Sequence, residues 1–382
     1  MSFFILSEPG YKTSNWHRNI LDGLIAQKQQ KRLNMITLNS LEELHQHTTD
    51  TKDAIFLVGN DSEWIDQVTA ACEKVFDNRV VVLGNHVSQL NKHKYSVVSS
   101  DIFSEIKTLY KYLQYYGQKR IAMYGINPQS ASDSFKKASF LACGASEADL
   151  FYNTGSLAQC FERFASRADS YDGVICVNDY AAISLAMHLK PHQKLFITSC
   201  GGNMLADFFV PSITHTRSDY EAFGRTGIDL CRLLQKNSTI NSIHICLAGK
   251  FVAGETTKNL PLIADWNPGS SQSYQEDPCS AGAHISLPCS TNSAGCNHHD
   301  MFYTDSETRE MLKIEALLNT CSGDDLQILE HIINNETYAN IAEIFYISIN
   351  GVQYKLKNWF DLCEVSSKKE FITMLKKYKN SI

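Results

Sequence analysis

The first two-thirds of the chain alternates short apolar runs with amphipathic segments, and this pattern restricts the fold more than any other feature. Eight apolar runs are strand candidates: Phe3–Leu6, Ala54–Val58, Val80–Leu83, Ser96–Val98, Ile121–Tyr124, Val174–Val177, Leu195–Thr198 and His244–Leu247. Seven intervening segments are helix candidates: Asn19–Gln29, Ser62–Val75, Ile102–Tyr116, Ser130–Cys143, Gly155–Ser166, Tyr180–His188 and Tyr220–Gln235. Regular β-α alternation favours parallel sheets covered by helices. Roughly 250 residues of it predict two α/β lobes rather than one.

Composition excludes several classes of protein. Apolar residues make up 43% of the chain and charged residues 20%, which is typical of globular proteins. A net charge of −6 means that any binding to nucleic acid must be local to one module. No apolar run approaches the ~20 residues that a membrane span requires, and the run at Phe3–Leu6 has no cationic segment before it. We therefore expect a cytoplasmic protein with no membrane partner and with mostly reduced cysteines. Several cysteines, such as Cys176 and Cys246, lie in apolar strand-like runs and are predicted to be small core residues.

The stretch Tyr338–Leu362 has a different pattern, that of two short helices joined by a turn at Tyr346–Ile349. The first helix is apolar around Ile341 and Ala342. The second has an apolar stripe at three- to four-residue spacing, formed by Val352, Leu356 and Trp359. Ser348 is placed to cap this second helix. The stretch is therefore predicted to be a helix-turn-helix with an amphipathic second helix.

The polar face of the second helix suggests a function, because amide and ammonium side chains reach base edges and phosphates when such a helix enters a major groove. The segment from Cys321 to Phe371 resembles, without a gap, the DNA-binding domain of LuxR/GerE-type regulators. The landmarks are Ile328–Leu329, Asn340–Ile341–Ala342, Ile347–Ser348, Val352, Leu356 and Val365–Ser366–Ser367. The resemblance implies that Gln353, Tyr354 and Lys357 contact bases, that Lys355 contacts phosphate and that Asn350 does either. Gly351 and Glu364 depart from the family, which usually has Thr and Gly there.

The charge of this module leaves a second interpretation open. From Cys321 onward, seven lysines stand against eight acidic residues, whereas from Asn350 onward the same seven lysines stand against three. The positive charge thus lies on the half predicted to face phosphate. The module has no arginine, which predicts modest affinity per contact. Because small helical domains often show two amphipathic helices and a turn, a protein partner remains the alternative to DNA.

Segments of the α/β region resemble a second family. They are GQKRIAMYG (117–125), DGVICVNDYAAISLAMHL (172–189) and PSITHTRSDYEAFGRTGIDLCRLL (211–234), which are similar to the ligand-binding core of LacI/GalR regulators. Phe251–Thr256 resembles the closing strand of that core. The resemblance implies a periplasmic-binding-protein-like type I fold, in which two lobes joined by three crossovers close over a small molecule. The family carries its DNA-binding domain in front, whereas here Met1 directly precedes the first strand, so we expect that domain at the other end.

The resemblance also implies a ligand pocket. Trp16 matches an aromatic residue that lies against the ligand, where the apolar faces of polyol rings can stack. Lys136 stands where the family usually has an arginine, and a lysine cannot make the bidentate fork. Asn178 belongs to an Asn-Asp signature and can donate and accept hydrogen bonds, which suits vicinal hydroxyls. Asp101 matches an acidic position that borders the pocket.

The turn Ser199–Asn203 departs from the family, which has a sugar-binding acid where this chain has two glycines. Either Asn203 or Glu8 replaces that acid, or the ligand lacks the usual sugar hydroxyls. Structural roles remain open for the other candidates: helix caps for Asn178 and Asp101, a place in the core between the lobes for Trp16, and a solvated charge for Lys136.

Between Leu260 and Thr304 the composition shifts to Ser, Gly, Pro, Asn and Cys without periodicity, which indicates a linker. It contains thiol and imidazole groups, which are ligands that zinc or copper prefers: Cys279, Cys289, Cys296, His284, His298 and His299. Their spacing has no CxxC pair, so an irregular linker with reduced cysteines, a metal site and a redox sensor all remain open. The segment Asp305–Asn319 that follows is predicted to be a helix capped by Ser306.

We therefore predict an α/β, two-lobed, periplasmic-binding-protein-like type I sensor with parallel sheets, followed by a small all-α helix-turn-helix domain. The predicted units are 1–259 (LacI-like ligand-binding domain), 260–304 (linker), 305–319 (linker helix) and 320–382 (LuxR-type domain). The expected function is a ligand-responsive transcription regulator that binds double-stranded DNA and a small effector, with a sugar as the leading candidate. Two DNA half-sites require a homodimer. The sequence has no Gly-rich phosphate loop, GxSxG elbow or recognisable acid/base pair, so we expect neither an enzyme nor a cofactor.

Overall fold

The computed structural model describes residues 2–9, 12, 14–47, 50, 52–85, 95–128, 130–190, 193–237, 239–262 and 305–379. Within these residues the chain forms two six-stranded sheets covered by helices. The strands are β1 Ser2–Ser7, β2 Asn34–Leu38, β3 Ala54–Val58, β4 Val80–Leu83, β5 Tyr95–Ser100, β6 Ile121–Ile126, β7 Leu150–Tyr152, β8 Gly173–Cys176, β9 Phe196–Gly201, β10 Thr214–Arg217, β11 His244–Leu247 and β12 Lys250–Val252.

The first sheet has the order β11-β5-β4-β3-β1-β2, and all of its paired strands are parallel. Its central strands β3 and β4 are buried along their whole length, because helices cover both faces. The second sheet has the order β12-β10-β9-β8-β6-β7 and is parallel except for β12, which runs antiparallel to β10. Each sheet forms the centre of one lobe, here called lobe 1 and lobe 2.

In the described residues, eight α-helices belong to the two lobes: α1 Asn15–Lys31, α2 Ser62–Phe76, α3 Ile102–Tyr115, α4 Ala131–Ala142, α5 Leu157–Ala165, α6 Asp179–His188, α7 Met204–Phe208 and α8 Tyr220–Lys236. Polar side chains cap several of them; Asp61, for example, accepts a hydrogen bond from the Trp64 amide at 2.7 Å. Helices α1 and α8 pack on each other and on lobe 1, so α8 returns the chain to lobe 1 after β10. No helix among the described residues is long and apolar enough to cross a membrane.

The chain crosses between the lobes three times, near residues 101, 218 and 248, and these crossings lie side by side. The Asp101 amide donates to the Leu247 carbonyl at 2.9 Å, and the Ser100 and Ser218 hydroxyls are 3.2 Å apart. Three adjacent crossings between two sheets that are parallel except for strand β12 match the predicted fold class. The predicted two-lobed α/β architecture is therefore confirmed.

Some elements differ from the prediction. The strand Thr214–Arg217 has no apolar run, yet Thr214, His215 and Thr216 are buried because hydrogen bonds satisfy their polar atoms. Cys246 is exposed, so its prediction as a core residue is wrong: β11 is an edge strand that pairs only with β5. Cys176, in the central strand β8, is buried as predicted.

In the described range 305–379 the chain forms five helices: the linker helix Ser306–Thr320, then Gly323–Ile333, Tyr338–Ile344, Ile349–Cys363 and the final helix Lys368–Lys379. Helix Ile349–Cys363 corresponds to the second helix of the predicted helix-turn-helix, and we call it the recognition helix after that prediction. Asp305 rather than Ser306 caps the linker helix, accepting from the Thr308 amide at 3.1 Å. Ser348 caps the recognition helix as predicted, accepting from the Gly351 amide at 3.0 Å. Glu364 adopts a left-handed φ of 54°, the conformation that explains why the resembled family usually has Gly there.

The linker helix lies between lobe 2 and the C-terminal helices. Its apolar residues Met311, Ile314, Leu317 and Leu318 belong to one hydrophobic core shared with both. The final helix also reaches lobe 2, because the Tyr378 carbonyl accepts from the Val210 amide at 2.9 Å. Lobe 2, the linker helix and the C-terminal helices are thus continuously packed.

Candidate functional site

A cavity of about 370 Å³ lies between the two lobes. Lobe 1 contributes the first turn of α1, including Trp16, and lobe 2 contributes residues of α4 and α6. The linker helix forms part of the wall through Leu312, Glu315 and Asn319. A cleft with these dimensions and a mixture of aromatic and polar residues is typical of small-molecule sites.

The structure brings four of the six predicted ligand residues to this cavity, namely Trp16, Lys136, Asn178 and Asn203. Glu8 is not among the described residues that line it. Its carboxylate accepts from the backbone amides of Asn60 and Asp61 at 2.9 and 3.0 Å. Asp101 caps α3, accepting from the Ser104 amide at 3.1 Å, and lies just outside the lining between Ser100 and Ile102.

Lys136 lines the cavity, and its side chain is only 12% exposed, so it is not a solvated charge. Its ammonium donates to the Val177 carbonyl at 2.7 Å and to Asp133 Oδ1 at 3.2 Å. Burial lowers the pKa of Lys136, but Asp133, Cys200 and Tyr220 together raise it by more, so the pKa lies above its usual value. Lys136 therefore stays charged and offers the cavity a fixed cation.

Asparagine amides dominate the polar lining. The Oδ1 atoms of Asn60, Asn85, Asn178 and Asn203 each accept a backbone amide, at 2.6 to 3.1 Å. Asn178 and Asn203 therefore cap helices and line the cavity at the same time. The Nδ2 groups of these four residues have no partner in the described part of the chain, so they remain available as donors.

The turn at Gly201–Gly202 explains the departure from the family pattern. Gly202 has a φ of 66°, and a Cβ there would lie 2.5 Å from the Arg217 Cα. Only glycine fits this close approach. Arg217 lines the cavity, donates through Nε to the Gly202 carbonyl at 2.8 Å and also pairs with Asp207. An arginine thus lies beside the turn where the family has an acid.

Glu105 lies where the three crossings meet. It is 6% exposed and accepts from the Thr216 and Ser218 hydroxyls at 3.3 and 3.2 Å. Burial raises the pKa of Glu105 to about 7, more than the nearby Lys136 and the two hydroxyls lower it. The charge of this hinge residue therefore changes near neutral pH.

Glu105→Gln is expected to change how stability depends on pH. The folded state holds the Glu105 proton more tightly than the unfolded state, so this proton stabilises the fold below about pH 4.5, and the contribution is lost as pH rises through 7. The difference in free energy of unfolding between the variant and the wild type should shift by about 3 kcal/mol in favour of the variant over that range. Urea unfolding at a series of pH values measures it. A constant difference would contradict the raised pKa.

The recognition helix presents a polar face to solvent. Its buried side consists of Val352, Leu356, Trp359 and Cys363. The predicted base-contacting residues Gln353, Tyr354 and Lys357 are exposed, as is Asn350 at the start of the helix. These four residues therefore lie on an accessible surface.

Lys355 lies in a different environment from its neighbours. Its ammonium is 2.5 Å from Asp325 Oδ1, on the helix Gly323–Ile333. This contact lowers the pKa of Asp325, even though partial burial opposes the shift. A role of Lys355 at a phosphate stays a prediction, and it would require sharing the ammonium with Asp325.

Other lysines of the module are also engaged. Lys368 donates to the Glu336 carbonyl at 3.0 Å, and Lys377 and Lys379 pair with Glu310 and Glu330. Lys357, Lys369 and Lys376 have no ion-pair partner in the described part of the chain. The charge available to phosphate is therefore smaller than the seven lysines suggest.

The predicted linker lies mostly outside the described residues. All six cysteine and histidine residues of the possible metal or redox cluster fall there: Cys279, Cys289, Cys296, His284, His298 and His299. The metal site, the redox sensor and the irregular linker with reduced cysteines therefore all stay predictions.

Similar solved structures place this cleft in a known fold. No family model and no curated protein matches the chain. The transcriptional regulator CelR in complex with cellobiose is 16% identical, with a TM-score of 0.54 over 67% of this chain and 84% of that one. A CcpA regulator of the LacI family from Weissella paramesenteroides, with bound sucrose, is 15% identical, with a TM-score of 0.54 over 68% of this chain and 100% of that one. The lac repressor dimer bound to operator is 14% identical, with a TM-score of 0.53 over 67% and 93%.

The two-lobed part of this chain has the LacI-like sensor fold. At such low identity the likeness is one of fold. It covers about two-thirds of the chain, as the segments that resemble LacI/GalR regulators predicted.

Sequence reasoning missed Asp133, Arg217, Glu105 and Glu315 as cavity residues. Arg217 lies within a segment that was singled out, but its role depends on the backbone of Gly202. Glu105 and Glu315 had a visible signal: each is an acidic residue among the apolar positions of an amphipathic helix, flanked by Ile106 and Ile314 respectively. An acid on the buried face of a helix costs stability unless it has partners, so it marks a candidate site.

Proposed function

We propose that this protein is a ligand-responsive transcription regulator, in which a small polyhydroxylated molecule binds between the lobes and controls DNA binding by the C-terminal helices. The proposed units are those predicted from the sequence: 1–259, 260–304, 305–319 and 320–382. The observation that carries the proposal is the continuous packing from the cavity, through the linker helix, to a recognition helix with an exposed polar face. A homodimer would place two recognition helices on two half-sites.

The cavity supports a neutral polyol as the effector. Asparagine amides, Lys136 and Arg217 provide hydrogen-bond donors, and Trp16 provides an aromatic surface for a sugar ring. The similar regulators whose structures contain cellobiose or sucrose bind sugars in the same fold. Thermal-shift measurements with mono- and disaccharides test this, because a ligand at a hundred times its Kd stabilises a protein by about 2.7 kcal/mol. Nucleosides and amino acids serve as the comparison classes.

Lys357→Ala is expected to weaken DNA binding about tenfold, because Lys357 is exposed on the recognition helix and has no competing partner in the described part of the chain. The probe is duplex DNA enriched from a random pool by the full-length wild-type protein. Affinity is measured by fluorescence anisotropy at several salt concentrations, and wild-type binding should weaken steeply as salt rises.

Lys52→Ala is the matched control, since Lys52 is an exposed lysine on lobe 1 and its loss changes the net charge equally. This variant should bind DNA as the wild type does. Failure to enrich any salt-sensitive DNA sequence would refute the DNA-binding part of the proposal. Equal losses of DNA affinity in both variants would mean that Lys357 makes no specific contact with DNA.

A protein partner is the second candidate for the C-terminal module. Large apolar side chains are exposed around the turn and the recognition helix: Ile344, Tyr346, Ile349, Tyr354 and Leu362. Tyr346 is 96% exposed, and apolar clusters of this kind often mark protein interfaces. Binding to such a partner would depend weakly on salt, so the salt series separates the two functions.

A further inference from the structure

The linker helix contributes one face to the cavity and an adjacent face to the core. Leu312, Glu315 and Asn319 are spaced three and four residues apart and line the cavity. Met311, Ile314 and Leu318 pack into the core that lobe 2 shares with the C-terminal helices. The helix that leads to the recognition helix is therefore also a wall of the ligand cleft.

Glu315 contacts both lobes at once. Its carboxylate accepts from the hydroxyl of Tyr180, in α6 of lobe 2, and the side chain of Asn15, in α1 of lobe 1, also hydrogen-bonds it. Glu315 is 2% exposed, and burial raises its pKa to about 7. A carboxylate has roughly four acceptor sites, so these two partners leave it capacity on the cavity side.

Several acceptors that line the cavity already hold parts of the protein together. Four asparagine oxygens are used by backbone amides, as described above. Asp133 binds Lys136 and the Asn127 amide, Asp179 accepts from Ser199 and the Asn203 amide, and Glu105 accepts two hydroxyls. Hydroxyl groups of a polyol need acceptors for their protons as well as donors. Glu315 can provide one and, unlike these three carboxylates, it lies on the helix that leads to the C-terminal helices.

We propose that Glu315 of the linker helix is an effector-binding residue, which receives a ligand hydroxyl and thereby links occupancy of the cleft directly to the helix that carries the DNA-binding module. The inference rests on the proposed polyol-binding function. It places the acid that the Gly201–Gly202 turn lacks on an element outside the two lobes. The same side chain would then respond to lobe closure and affect the position of the recognition helix.

The test compares Glu315→Gln with a matched variant on the same helix. Glu307 also contacts lobe 2, accepting from the Ser184 hydroxyl at 3.1 Å, but it does not line the cavity. Full-length wild type, Glu315→Gln and Glu307→Gln are titrated at pH 8 with D-glucose, cellobiose and sucrose by calorimetry. Glu315→Gln should weaken binding of the accepted sugar tenfold or more, since hydrogen bonds to a carboxylate are stronger than those to an amide. Glu307→Gln should stay within twofold of the wild type.

Asn319→Ala is a second variant of the same helix, which tests its contact with the ligand if Glu315→Gln does not fold. Asn319 is exposed at the cavity rim, so its truncation should leave the fold intact while weakening sugar binding about threefold. Hydrogen exchange provides a second readout: saturating sugar should protect residues 312–319 in the wild type. Wild-type affinity in both cavity-facing variants, without that protection, would overturn the inference and leave the proposed function standing. No binding of any of the three sugars to the wild type would overturn both.

Discussion

Replacing Lys136 by methionine is expected to lower the free energy of unfolding by about 3–5 kcal/mol. The ammonium is buried against Asp133, with side chains only 12% and 8% exposed, and it also satisfies the Val177 carbonyl. Methionine has a similar length but no donor, so it would leave a buried carboxylate without its cation. Chemical denaturation of the full chain, followed by circular dichroism, measures the loss.

Lys137→Met is the matched control, because Lys137 is the next residue and its ion pair with Glu147 is long, at 3.8 Å, and largely exposed. Its loss should cost less than about 1 kcal/mol. Asp133→Asn in the Lys136→Met background should recover part of the stability, since it removes the stranded charge. Equal, small losses for Lys136→Met and Lys137→Met would show that Lys136 is a solvated charge.

The fold was predictable where burial and periodicity coincide. The strands Ala54–Val58, Val80–Leu83 and His244–Leu247 have the bounds read from their apolar runs. Strand Thr214–Arg217 was not predicted as such, because its threonines are buried through hydrogen bonds to Gly254 and Glu105, which are distant in sequence. Local patterns report apolar burial well, but they do not report polar burial that depends on a remote partner.

The cavity was predictable only in part for the same reason. Trp16, Lys136, Asn178 and Asn203 line it, because the resemblance supplied their positions in a known fold. The resemblance could not predict Glu315 as a cavity residue, since Glu315 belongs to a helix outside the resembled segments. Its position among apolar residues of the linker helix indicates burial, but the cavity that it lines depends on how that helix packs against the two lobes, and no local pattern encodes that packing.

The packing of the final helix gives the last prediction: Tyr378→Ala should destabilise the C-terminal helices by about 3–5 kcal/mol. Tyr378 is fully buried, its hydroxyl donates to Glu310 Oε1 of the linker helix at 2.8 Å, and the Lys379 ammonium next to it lies 4.4 Å from the centre of the Phe208 ring in lobe 2. Truncation leaves a cavity where the final helix, the linker helix and lobe 2 meet. Hydrogen exchange of residues 323–379, measured against lobe 1 in the same molecule, reports the loss.

Tyr378→Phe separates the ring from the hydroxyl. It keeps the packing and removes one hydrogen bond, and Glu310 retains Lys377 at 2.7 Å, so the cost should be about 1 kcal/mol. If the proposed function holds, Tyr378→Phe should keep sugar-dependent DNA binding. Tyr378→Ala should bind sugar normally while its DNA affinity no longer responds to sugar, because the recognition helix has lost its fixed position against the cleft. A Tyr378→Ala variant that is as stable and responsive as Tyr378→Phe would mean that the signal does not pass through this contact.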